Sequence, residues 1–172
     1  MHGILLTIAA LILTACGGSS PSQSAPTTPT SPSPPTSATT NWMVTHSFAS
    51  VSGADNCWVR FQRQRLTGVV FRDLDMTVIR SGGEITIQSQ WFNSYIGTFS
   101  AGQFTARQNA PLEGGTHDCG GGNIIVQQSG VSNLSGRFAP DDQTLSATES
   151  NVYPLNTGET VTYTWNWEAR RR

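Results

Sequence analysis

The run Thr160 to Glu168 places Val161, Tyr163, Trp165 and Trp167 at every second position and fills the positions between with Thr160, Thr162, Thr164, Asn166 and Glu168. A period of two puts the large side chains on one face of a strand and the polar ones on the other, so one face is core. The same period recurs upstream. Trp42, Val44, His46 and Phe48 alternate with Met43, Thr45, Ser47 and Ala49, and Leu74, Met76 and Val78 alternate with Asp73, Asp75 and Thr77. After the turn Ser81-Gly82-Gly83, the residues Ile85, Ile87, Ser89 and Trp91 share one face against Glu84, Thr86, Gln88 and Gln90. Tyr95 to Phe99 and Gln103 to Arg107 form a second hairpin around Ser100-Ala101-Gly102, with Phe104 and Ala106 facing alike.

A glycine-rich loop from Pro111 to Gly122 carries Cys119, and Asn123 to Gln128, Val131 to Phe138 and Thr144 to Asn151 read as further strands. One stretch breaks the pattern. Asn56 to Leu66 reads as a short helix capped by Asp55, with Cys57, Trp58, Phe61 and Leu66 roughly on one side and Gly68 as its stop. At period two it reads instead as a strand carrying Cys57, Val59 and Phe61. The expectation is an all-β chain: an antiparallel up-and-down meander of eight or nine strands with at most one short helix near residues 56–66. It closes into a small barrel, with a β-sandwich as the alternative. Closure removes the sheet edges that otherwise invite aggregation. Gly97-Thr98-Phe99 and Gly136-Arg137-Phe138 both run into a hairpin turn, which suggests a repeated hairpin unit. The layout over residues 41–168 resembles small lipocalin-like or avidin-like barrels, a likeness of architecture that does not by itself imply an activity.

Ahead of the strands, Gly3 to Leu13 are apolar except for Thr7, the length of a signal-peptide core and too short to span a bilayer. The run ends in Leu13-Thr14-Ala15-Cys16, which resembles the lipobox of a bacterial lipoprotein, although the segment before it carries only His2 and no Lys or Arg. An ordinary cleaved secretory signal is the alternative. The resemblance implies a signal peptide over residues 1–15 and lipid attachment at Cys16. It also implies a lipid-anchored, extracytoplasmic place in the bacterial cell envelope, at the outer membrane or cell surface rather than the inner membrane. Two or three acyl chains hold a protein stably where one does not. Residues 16–40 then form a tether: Gly17 to Thr40 hold six of the nine prolines and no charged or aromatic residue, so nothing there can be buried to offset the entropy of ordering. Its reach is about 25–30 Å as a coil and roughly 75 Å as extended polyproline. Residues 41–172 remain as a single domain of ordinary size.

Assigning Cys16 to lipid leaves Cys57 and Cys119 as an even pair, expected either as a disulfide or as two buried thiols. The basic residues are all arginines, ten against eleven carboxylates, so no extended basic field exists for nucleic acid and none is expected as a partner. Nucleophile elbows, zincin helices, phosphate loops and paired zinc cysteines are all missing from the sequence, so no catalytic residue and no cofactor is nominated and the chain is read as a non-enzyme. His117-Asp118-Cys119 is a poor metal site if Cys119 is bridged, and Asp73 and Asp75 read as a solvated strand face. Two polar residues stand out. Alternation puts His46 with Trp42, Val44 and Phe48, and Glu149 with Leu145 and Ala147, so both point inward. Buried polar groups need partners. With Ser89 and Trp165 they are candidate ligand-binding residues of an internal cavity; internal pairing, for instance of Glu149 with an arginine, is the competing reading. The chain is thus expected to hold a small or apolar ligand, or else to be a filled structural module that meets another envelope protein.

Overall fold

The computed structural model describes residues 36–172. In chain order the elements are β1 (Ala38–Gly53), α1 (Cys57–Leu66), β2 (Val70–Ser81), β3 (Glu84–Ser89), β4 (Phe92–Ser100), β5 (Gln103–Gln108), β6 (Gly115–Asp118), β7 (Ile124–Gln127), β8 (Val131–Phe138), β9 (Thr144–Pro154) and β10 (Thr160–Arg171). Eight of the strands close an antiparallel barrel in the order β1-β10-β9-β8-β5-β4-β3-β2, the up-and-down arrangement expected. The long first strand closes it, pairing with β2 along one edge and β10 along the other.

Four local expectations change. β1 begins at Ala38, inside the stretch assigned to the tether, because Thr40 is buried: its hydroxyl accepts the Trp42 indole N–H at 2.8 Å and donates to the Val78 carbonyl at 3.3 Å. The glycine-rich loop contains a strand, β6, and its partner β7 forms a separate two-stranded sheet instead of joining the barrel. Of the two readings of Asn56 to Leu66, the helix is the one formed, but Asn56 caps it by accepting the Val59 N–H at 3.0 Å, and Asp55 contacts Arg60 instead. Its buried side is Val59 and Gln62, while Phe61 is 42% exposed. Finally, the β3–β4 turn interrupts the alternation after Ser89, so Trp91 does not continue the inner face and stands 62% exposed. A disulfide joins Cys57, the first residue of α1, to Cys119 in the β6–β7 turn.

One end of the barrel is filled. Trp42, Phe99, Phe104 and Phe138 pack across it, with ring centroids 5.5–5.6 Å from Phe138. The Arg80 guanidinium lies over Phe138 and Phe99 at 4.8 and 5.3 Å and grips Asp142 with two hydrogen bonds. The repeat seen in the sequence has a counterpart here. Phe99 and Phe138 each donate a backbone N–H to a glycine of a preceding hairpin turn, Gly83 and Gly102, and their rings meet edge to face. Gly97 is required by close approach, since a Cβ there would sit 1.9 Å from the Thr105 carbonyl. At the other end Val51, Val59, Ile125, Leu155, Val161 and Tyr163 form a second core that joins the ends of β1, β9 and β10 to α1 and β7.

Candidate functional site: an open cavity between two cores

Two bulges position the site. Along β1 and β2 the register runs Val44 to Leu74 and then His46 to Phe71, so Arg72 and Asp73 together face Thr45, with Asp73 in the left-handed region at φ 56°. The extra residue shifts the parity of β2 and brings both Phe71 and Leu74 to the same cavity wall. On β1 a second irregularity, between Phe48 and Ser50, ends the inward run Trp42, Val44, His46, Phe48 and restarts it at Val51. Between the filled end and the second core lies a cavity of about 770 Å³, open to solvent on one side.

Its inner boundary is built around Glu149, which lies opposite Trp165 on β10 and Leu134 on β8. The Glu149 carboxylate accepts the Trp167 indole N–H at 2.8 Å on Oε2 and the Ser132 hydroxyl at 3.3 Å on Oε1. Because Ser132 gives its proton to Glu149, it accepts from the Tyr95 hydroxyl, 2.6 Å away, and a directed chain runs Tyr95 to Ser132 to Glu149. His46 Nε2 lies 2.9 Å from Glu149 Oε2, a close contact that does not meet hydrogen-bond geometry. Burial on its own would raise the Glu149 pKa. The close His46 ring, first, and then the Trp167 indole and the Asn151 amide outweigh this and hold it below the ordinary carboxylate value. Tyr95 is pushed far up, first by burial and then by the Glu149 charge, so it remains a phenol.

Aromatic rings surround the histidine. His46 packs on Trp165 at 4.5 Å, on the edge of Trp167 at 5.4 Å and on Phe71 at 6.2 Å, while Phe48 meets Trp165 edge-on at 5.3 Å. Gln108 Oε1 and Asn151 Oδ1 are buried on the cavity wall without a hydrogen-bond partner.

All four candidate ligand-binding residues of the sequence, His46, Ser89, Glu149 and Trp165, line this one cavity. Internal pairing also occurs, and the partner of Glu149 is His46 rather than an arginine. Ser89 sits at the β3–β4 turn, donating to the Asp75 carbonyl at 2.6 Å and accepting the Trp91 N–H at 3.2 Å. Sequence reasoning missed Tyr95, Ser132, Phe71, Gln108 and Asn151. Ser132 was accessible to it, sharing parity with Leu134, whereas Phe71 was hidden by the β2 bulge. Cys16 lies outside the described residues. Asp73 and Asp75 are surface groups facing different arginines, Arg170 at 4.0 Å and Arg172 at 2.6 Å. His117 packs against both Trp58 and Phe61 beside the disulfide; with both sulfurs bridged, that cluster presents a single imidazole as a ligand.

Fold and site together define a class: a closed eight-stranded antiparallel barrel, plugged at one end, with a solvent-open cavity holding a buried carboxylate–imidazole pair toward the other. No known protein family, curated protein or solved structure matches the chain at a significant level.

Proposed function

We infer that the chain is a membrane-anchored, extracytoplasmic, lipocalin-like binding lipoprotein of the bacterial envelope that holds a small ligand in the open half of its barrel. The observation that carries this reading is the cavity itself, with aromatic walls and His46 and Glu149 inside it. Binding sites are concave, largely apolar and furnished with a few placed polar groups, and a cavity of this size suits one small molecule. The lipobox-like Leu13-Thr14-Ala15-Cys16 supports the anchor and the cell-envelope location. The Ser132 hydroxyl points its proton at a carboxylate already engaged by Trp167, an arrangement that supports reading these groups as a wall of a binding site. A second reading, an interaction module for another envelope protein, draws on Ile96 and Ile124, both about half exposed on the outside.

Native mass spectrometry of the protein purified from its own membrane tests the choice. A retained small molecule, released by Trp165→Ala, is the expected result. A protein subunit in its place, with no small molecule in any preparation, would favour the interaction module. The anchor is tested separately by Cys16→Ser, which is expected to abolish partition into detergent.

A further inference from the structure

We propose that the ligand is an organic amine, an ammonium or aromatic amine on a compact ring system, and not a carboxylate-bearing lipid; this rests on the reading of the cavity as a ligand site. The polar atoms left unpaired on the cavity wall include two carbonyl oxygens, Gln108 Oε1 and Asn151 Oδ1. Two buried acceptors ask for a donor on the ligand.

Charge points the same way. Among the described residues no arginine lines the cavity, and the chain has no lysine. The one basic group present, His46, is already placed against Glu149. An incoming carboxylate would meet Glu149 with no cation left to answer it, and would face two carbonyl oxygens as well. An ammonium meets one carboxylate, two carbonyls and a wall that includes the rings of Trp165, Phe71 and Phe92, whose faces attract cations through their quadrupoles. The exposed rim rings Phe71 and Trp91 extend the same kind of surface to the mouth.

The test uses the full-length protein in detergent and three matched probes: naphthylethylammonium, naphthylethanol and naphthylpropionate. Binding is followed by calorimetry and tryptophan fluorescence. The ammonium is expected to bind at least tenfold more tightly than the alcohol, with the carboxylate weakest. Gln108→Leu and E149Q are each expected to shrink the advantage of the ammonium over the alcohol by about threefold or more, because the ammonium has more donors and a charge to lose contacts for. Equal or tighter binding of the carboxylate, or an ammonium advantage that survives both variants, would overturn the amine assignment and leave the ligand-site reading standing. Absence of binding by all three probes would overturn both.

Discussion

Replacing Glu149 by leucine tests whether the carboxylate network holds the cavity wall. Glu149 is 8% and His46 17% exposed by side chain, so solvent screens their contact only weakly. The substitution removes the acceptor for two almost wholly buried donors, Trp167 Nε1 and Ser132 Oγ, each of which costs about 1–3 kcal/mol when left unpaired. It also strips His46 of its partner. Taken together the two stranded donors set the expected loss at about 3–5 kcal/mol, against a total stability of about 5–15 kcal/mol. In melting temperature this is a fall of about 10–20 °C. Glu149→Gln keeps the shape and most acceptor capacity, and is expected to cost about 1–2 kcal/mol. The double variant His46→Phe/Glu149→Leu also removes the stranded imidazole but leaves Trp167 Nε1 and Ser132 Oγ without their acceptor, so it is expected to regain only the smaller part of the single-variant loss that belongs to His46. Because the folded-state pKa of Glu149 is depressed, its contribution is present above the ordinary carboxylate value of 4.5 and disappears as pH falls through the lower folded value. Urea unfolding followed by tryptophan fluorescence at a series of pH values measures all of this. If Glu149→Leu stays within about 0.5 kcal/mol of the parent at neutral pH, or if Glu149→Gln and the parent lose stability in parallel below pH 4.5, the reasoning fails.

Three further outcomes follow from the rest of the molecule. Arg80→Ala is expected to cost about 2 kcal/mol by removing both the stacking on Phe99 and Phe138 and the grip on Asp142, and Arg80→Lys to restore little of it, because an ammonium has no planar fork; thermal melts decide. Reducing the Cys57–Cys119 bridge, which spans 62 residues, is expected to lower stability by up to about 4 kcal/mol, read as a drop in melting temperature with reductant that Cys57→Ser does not show. Burial, above all, raises the Tyr163 pKa to about 12, so its contribution is whole below pH 10 and is lost as pH rises through 12; spectrophotometric titration of the parent against Tyr163→Phe is expected to show one phenol missing from that range.

The strands were legible because their faces differ. Wherever one face meets core and the other meets water, as in β10 with Val161, Tyr163 and Trp167 buried, alternation states the register directly. The same logic found His46 and Glu149, since a polar residue in an inward position needs a partner or a ligand. It failed where parity changes without a sequence mark. Asp73 takes a left-handed conformation that no glycine announces, so the Phe71 ring joins the cavity from what reads as the wrong phase. It failed again in β6, whose residues Gly115–Asp118 are mostly exposed and so carry no hydrophobic period at all; pairing with β7 and the nearby disulfide give that strand its structure. Asn56 and Asp55 are both good caps, and nothing local separates them.

The depth of the cavity has a chemical cause. Below Glu149 the barrel interior is filled by Trp42, Trp167, Leu134 and their neighbours, each almost wholly buried. A carboxylate cannot be covered by an apolar plug without donors, so the filling stops where Trp167, Ser132 and Tyr95 have been spent satisfying its inner side. What remains on the outer side is the histidine and the unpaired carbonyls of Gln108 and Asn151, which leave a polar surface that further hydrocarbon would strand. β1 also fixes the direction of the opening. Ala38 pairs with Arg80 at the plugged end, whereas His46, eight residues on, has reached the cavity. The polypeptide therefore enters the barrel at the end that is sealed, and the mouth lies toward the opposite end.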